Sequence, residues 1–324
     1  MFKKSLSLIL CLIFAITFAS CSSTTEYTPE SGGNNPPANA DAGDKTPSSD
    51  ENEPASAQSG LTATKPEAAP LESSGDLGDY HIDIGDFELS KDYNGNPAII
   101  ISYTYTNNSD KAQSAMVAIT ERAFQNGVGL ESAYFGVDSE IDTSLDMKDV
   151  QPGSSLEIKE GYLLSSETAP VEYEVSGSFS FDDVTLGKTF EISPDGKTEY
   201  SVAPTGDVTG ELGDFTVSVV SCEIDQDRDG SDILVVHYGF TNNSRKNASF
   251  SVNISAEAFQ NGIELDRAYF ADVNDNSMLN IKPGAGIEVI EAYTLSDTSS
   301  PVDLEITESF SFSDDKLTTT INLG

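Results

Sequence analysis

One thirteen-residue stretch occurs twice, and it constrains the fold more than any other feature of the chain. Residues 123–135 read AFQNGVGLESAYF and residues 258–270 read AFQNGIELDRAYF, 135 residues apart. TNNS keeps the same spacing, beginning at Thr106 and again at Thr241. VQPG, from Val150, and IKPG, from Ile281, lie four residues closer together, because the first copy has the longer polar loop after AYF. The chain is therefore a duplicated domain, and its 324 residues leave room for two domains of ordinary size.

Apolar residues alternate with polar ones on both sides of the repeated stretch. Tyr80, Ile82 and Ile84 keep one phase, and Phe87 and Leu89 continue one residue out of step. In the second copy Phe215, Val217 and Val219 give way to Cys222 and Ile224. A phase slip at one place in both copies predicts a β-bulge near Gly85 and Val220. The next strand carries Ile99, Ile101, Tyr103 and Tyr105, matched by Leu234, Val236, Tyr238 and Phe240, and ends at the TNNS turn. Ala115, Val117 and Ile119, matched by Phe250, Val252 and Ile254, read as a third strand. Asn-Gly after Phe124-Gln125 and after Phe259-Gln260 signals a tight hairpin. Later strands hold Leu156, Ile158, Tyr162 and Leu164, then PVEYEV, then a closing strand to Ile192; the second copy matches each. Roughly seven to nine short strands in about 115 residues, with no sustained helical period, is the pattern of an antiparallel β-sandwich.

The chain ahead of the repeats has a different composition. Lys3 and Lys4 precede an apolar run, Ser5 to Phe18, that is short for a membrane span, and FASC ends at Cys21. This looks like a bacterial lipoprotein signal over residues 1–20, with Cys21 lipidated; ordinary cleavage and secretion is the alternative. Two acyl chains give stable anchoring where one is marginal. Residues 22–77 are rich in Ser, Thr, Pro, Gly, Asn and Ala, and with Cys21 they form a disordered tether, spanning roughly 40 Å as a flexible coil. The expected organisation is thus a signal (1–20), a lipidated cysteine and tether (21–77), a first sandwich (78–193), a linker (194–210) and a second sandwich (211–324). A net charge of −37, from 54 acidic and 17 basic residues, argues against nucleic acid as a partner. Once Cys11 and Cys21 are set aside, Cys222 is left without a disulfide partner and is expected to be a small buried hydrophobe.

Taken together, the KDYNG-type turn, TNNS, AFQNG, the PG turn, the aromatic-leucine strand and the PV start resemble an immunoglobulin-like domain family of Gram-positive lipoproteins, domain of unknown function 5067. The resemblance covers both copies, 78–324. It implies export, lipid anchoring and two tandem antiparallel immunoglobulin-like β-sandwiches in an all-β chain. It brings no catalytic residues to carry over.

Candidate chemistry is sparse. Asp225, Asp227 and Asp229 before Gly230 resemble the opening of a calcium loop, where alternate oxygens surround a hard cation. Against that, the twelfth position is Val236, the flanks are strands, and the first copy offers only Ser90, Asp92 and Asn94 before Gly95. No other cofactor is expected. His81 and His237 sit on the polar phase of their strands, in non-equivalent places and outside any motif, so an enzyme is not expected. A candidate binding loop is formed by Gln125, Asn126 and Tyr134, repeated as Gln260, Asn261 and Tyr269. The alternative is that each Gln bonds backbone at its turn and each Tyr caps the core. The chain is expected to be a non-catalytic binding or presentation module at the cell surface, anchored to the membrane and meeting a surface protein or glycan. The alternative is a structural spacer or envelope adaptor with no ligand of its own.

Overall fold

The computed structural model describes residues 70–136, 141–178, 184–268, 276–311 and 313–323. Cys21, the signal and most of the tether lie outside them. Both repeats fall within one compact unit, Gly60–Gly324.

Each repeat is a sandwich of two four-stranded antiparallel sheets. In the first, β1 (Ser74–Leu77), β2 (Tyr80–Lys91), β3 (Pro97–Asn107) and β6 (Ser155–Leu163) form one sheet in the order β1-β2-β3-β6. The other sheet runs β5-β4-β7-β8, from β4 (Ile119–Gln125), β5 (Val128–Gly129), β7 (Val171–Gly177) and β8 (Thr185–Phe190). The chain crosses between sheets from β3 to β4 and again from β6 to β7, while β3 pairs with β6 and β4 with β7. That interlock is the immunoglobulin arrangement: β2, β3 and β6 take the A, B and E places, and β4, β7 and β8 take C, F and G. The second repeat copies it with β9 (Val208–Leu212), β10 (Phe215–Gln226), β11 (Asp232–Asn242) and β14 (Gly286–Thr294) against β12 (Ile254–Gln260), β13 (Ile263–Glu264), β15 (Val302–Glu308) and β16 (Lys316–Ile321). The first repeat has a strand, β1, ahead of Gly78, and its counterpart β9 begins ahead of residue 211 and runs through it.

The alternation read from the sequence is the one that fills the cores. Ile82, Ile84, Ile99, Ile101, Tyr103 and Tyr105 face Ala123, Val171, Tyr173 and Val175 in the first. Val217, Leu234, Val236, Tyr238 and Phe240 face Ala258, Val302, Leu304 and Ile306 in the second. Each such side chain contributes roughly 1.5–3 kcal/mol by leaving water. The bulges are where the phase slips place them, between Ile84 and Phe87 and between Val219 and Ser221. Cys222 packs partly buried against the second core, and burial pushes its thiol up to about 11, which keeps it protonated and inert.

One element differs from expectation. Ala115–Ala118 and Phe250–Asn253 are single helical turns, α1 and α2, and the strands begin only at Ile119 and Ile254. Val117 and Val252 are exposed, whereas Ala115 and Ala118, three apart, are buried. Four residues hold too little periodicity to separate a helical turn from a strand. The TNNS turn has a specific anchor. Asn107 is fully buried and its Nδ2 donates to Lys111 O and Val150 O, both at 2.7 Å. Asn242 makes the same pair of bonds to Lys246 O and Ile281 O.

Candidate functional site

The AFQNG hairpins are two-residue type I′ turns. Asn126 and Gly127 have φ of 52° and 78°, and Asn261 and Gly262 have 55° and 78°. Gln125 and Gln260, each 1% exposed, point inward rather than towards a ligand. Gln125 Nε2 donates to Ser166 O at 2.9 Å and Ala169 O at 2.7 Å, while its Oε1 accepts from Ser165 N and Ser166 N. Gln260 repeats this with Asp297 O, Ser300 O, Ser296 N and Asp297 N. Each glutamine therefore pins the loop leading into the next strand. Gln125→Ala would leave several buried backbone groups unpaired and is expected to destabilise the chain by about 3 kcal/mol. A thermal melt checks this; an unchanged midpoint would refute the pinning role.

Tyr134 is 61% exposed and its ring lies 5.8 Å from that of Tyr93, on the outside of the sandwich. Tyr269 lies outside the described residues. The acidic loop of the second repeat is a hairpin turn in which Asp227 Oδ1 accepts from Asp229 N and Ser231 N at 2.9 and 2.8 Å. Asp92 does the same for Asn94 N and Asn96 N in the first repeat. Among the described residues no group of three or more His, Cys, Asp or Glu is arranged to hold a metal ion. His81 has Asp76 on Nδ1 at 2.5 Å and Ser74 Oγ 3.4 Å from Nε2, an order that resembles a catalytic triad. Ser74, however, donates its hydroxyl to Asp83, so its proton is directed to that carboxylate and not to the imidazole, whose pKa the hydrogen bond to Asp76 raises.

The hairpin tip of the first repeat joins the repeats. Val128 bridges Ile281, Gly129 N donates to Asn280 O at 2.7 Å, and Lys282 N donates to Gly127 O at 2.8 Å. The connector closes over the tip: Ser201 N donates to Asn126 O and Glu199 N to Asn126 Oδ1, both at 2.9 Å. A Cβ at Gly127 would come within 2.6 Å of the Ala285 Cβ, so only glycine suits both the turn and this contact. Beside the tip, Lys282 Nζ sits between Glu172 Oε2 at 2.6 Å and Glu174 Oε1 at 2.7 Å, and 4.7 Å from the centre of the Phe124 ring. Asn247 Nδ2 donates to Glu174 Oε2 at 3.0 Å.

This contact forms the floor of a cleft of about 1060 Å³ between the repeats. The outward faces of β7 and β8 supply Glu172, Glu174 and Thr189, and Leu71 adds an apolar edge. Arg245, Asn247, Lys282 and Pro283 come from the second repeat, and Tyr200 comes from the connector. Arg245 stands exposed on the rim. Large clefts at domain junctions that mix apolar and charged walls are common binding sites. None of these residues was a candidate in the sequence. The available signal was the change from Gln151 in the first PG turn to Lys282 in the second.

Compared with known families, residues 56–177 and 191–308 each match the model of the domain of unknown function DUF5067. No curated protein matches the chain.

Proposed function

This chain belongs to the DUF5067 family and carries the domain twice, and from that premise we propose that it is a membrane-anchored extracytoplasmic lipoprotein whose paired sandwiches form a non-catalytic binding module. The observation that carries the reading is the cleft between the repeats, walled by both and floored by the Lys282 contact. A spacer needs two domains in line, not a concavity of this size with an exposed arginine at its mouth. The ligand is a surface protein or glycan, and the reading needs no cofactor. The anchor is Cys21, and the tether lifts the sandwiches off the bilayer.

Two substitutions test the reading. Cys21→Ala is expected to move the protein from the membrane fraction to the soluble one; retention at the membrane would refute lipid anchoring. Arg245→Glu with Thr189→Arg changes the cleft wall without touching a core. Crosslinking on live cells is expected to capture a reproducible partner with the native chain and to lose it with this variant, at an unchanged melting temperature. A partner retained by the variant would remove the cleft as the site. An empty capture, with an unrelated sandwich pair restoring the phenotype of a deletion, would establish the spacer instead.

A further inference from the structure

The repeats differ in charge at one matched place inside their sandwiches. In the second repeat Glu291 stands opposite Val236 and faces the core. Arg267 Nη1 donates to Glu291 Oε1, Arg267 Nη2 donates to Ala256 O at 3.1 Å, and the Tyr293 hydroxyl donates to Glu291 Oε2 at 2.9 Å. The arginine side chain is 54% exposed and that of Glu291 only 6%. The guanidinium therefore reaches in from the surface, past the open edge of the sandwich.

In the first repeat the matched carboxylate is Glu160, opposite Ile101. Ser132 stands where the second repeat has Arg267, and the matched bridges, Ser132 to Tyr162 and Arg267 to Tyr293, fix the correspondence. Glu121 replaces Ala256; it lies opposite Val175 and so also faces the core. Asp146, on a short 3-10 turn, replaces Ser277. The cation at the place of Arg267 is gone and two carboxyl groups have been added, and the charge of neighbouring Arg122 offsets the burial of Glu121 only in part, since its carboxyl stays raised. Among the described residues, two buried atoms there have no hydrogen-bond partner, Glu160 Oε1 and the Tyr173 hydroxyl, and Tyr173 is 1% exposed. The charges of Glu121 and Glu160 both act on that hydroxyl, and Tyr103 donates its own hydroxyl to Glu121. Removing carboxylates from water without a counter-charge is costly, so an arrangement of this kind is stable when something positive completes it.

We propose that the Glu121–Glu160 site of the first repeat receives a guanidinium group from outside the chain, the arginine side chain of a peptide or protein ligand, along the path that Arg267 takes in the second repeat. The planar fork of a guanidinium can bond two acceptors at once, as Arg267 does with Glu291 and Ala256 O. In the first repeat the acceptors are Glu160 Oε1 and the Glu121 carboxylate. Burial, reinforced by the charges of Glu121 and Asp146, pushes the Glu160 carboxyl up to about 8, so ligand binding near neutral pH releases a proton. The site uses the inward faces of β4 and β6, whereas the cleft between the repeats uses the outward face of β7, so either can fail without the other.

The test titrates the full-length chain with N-acetyl-argininamide, with N-acetyl-lysinamide and calcium chloride as comparators, and reads the thermal midpoint. Argininamide is expected to raise the midpoint, and Glu121→Gln to weaken its apparent affinity about tenfold or more. Ser132→Arg with Glu121→Ala rebuilds the arrangement of the second repeat. That variant is expected to melt at or above the wild-type temperature and to lose the response, because its own arginine fills the site. Arg245→Glu in the cleft should leave the response intact. A response that persists in the rebuilt variant, disappears with Arg245→Glu, is absent from the native chain or is larger for calcium would overturn the proposal.

Discussion

Lys282→Met is expected to be the most damaging single substitution on the surface shared by the repeats. The lysine side chain is 9% exposed and those of its two carboxylate partners 17% each, so removing it leaves Glu172 and Glu174 side by side and largely buried without the ammonium between them. Breaking a buried ion pair from one side costs about 3–5 kcal/mol, well above the contribution of a surface pair. For domains of this size the loss corresponds to a fall of about 10 °C or more in the melting transition that includes the docked hairpin. Calorimetry checks this, and Glu172→Gln with Glu174→Gln in the same background should recover part of the loss. An unchanged midpoint would mean that the backbone bridge alone holds the repeats. Burial lowers the Lys282 pKa, but Glu174 and Glu172 outweigh it and the net shift is upward. A raised amine contributes stability that is complete below the unfolded lysine value of about 10.4 and is lost as pH rises through the folded value. The contact therefore holds throughout the neutral range.

The second large effect is a pH dependence confined to the first repeat. Glu160 binds its proton more tightly folded than unfolded, with its carboxyl at about 8. Its contribution is thus complete below the unfolded glutamate value of about 4.3 and is lost as pH rises through the folded one, at up to about 1.4 kcal/mol per pH unit. Without ligand, the first repeat is expected to melt lower near pH 8.5 than near pH 5. Glu160→Gln should flatten the profile and raise the alkaline midpoint. The second repeat is the internal control, since Glu291 already faces Arg267. A flat wild-type profile would overturn the assignment.

What was legible in the sequence was local. Asn126-Gly127 and Asn261-Gly262 specify a turn through their own backbone preferences, and the slips at Gly85 and Val220 show as broken alternation within a dozen residues. The helical turns at Ala115 and Phe250 were hidden because four residues fit both periods. The roles of Gln125 and Gln260 depend on loops about forty residues downstream, and repetition alone could not separate a pin from a contact. Glu121 and Glu160 were readable in principle: each continues the buried phase of its strand, Ile119-Glu121-Ala123 and Ile158-Glu160-Tyr162. Amid 54 acidic residues they do not stand out until the second copy shows Ala256 in place of Glu121 and Arg267 in place of Ser132. Lys282 was the least legible, because its partners belong to the other repeat.

That docking contact also sets the valency of the chain. The second repeat has its own Asn261-Gly262 tip, flanked by Asp303 and Glu305 where the first has Glu172 and Glu174. The first repeat has its own PG turn, but with Asp149 and Gln151 where the second has Asn280 and Lys282, and with Asp110 for Arg245. A tip bearing two acids that met this turn would find Asp149 and Asp110 and, at the place of Lys282, a neutral glutamine. Duplication gave the molecule two plugs but only one socket that fits.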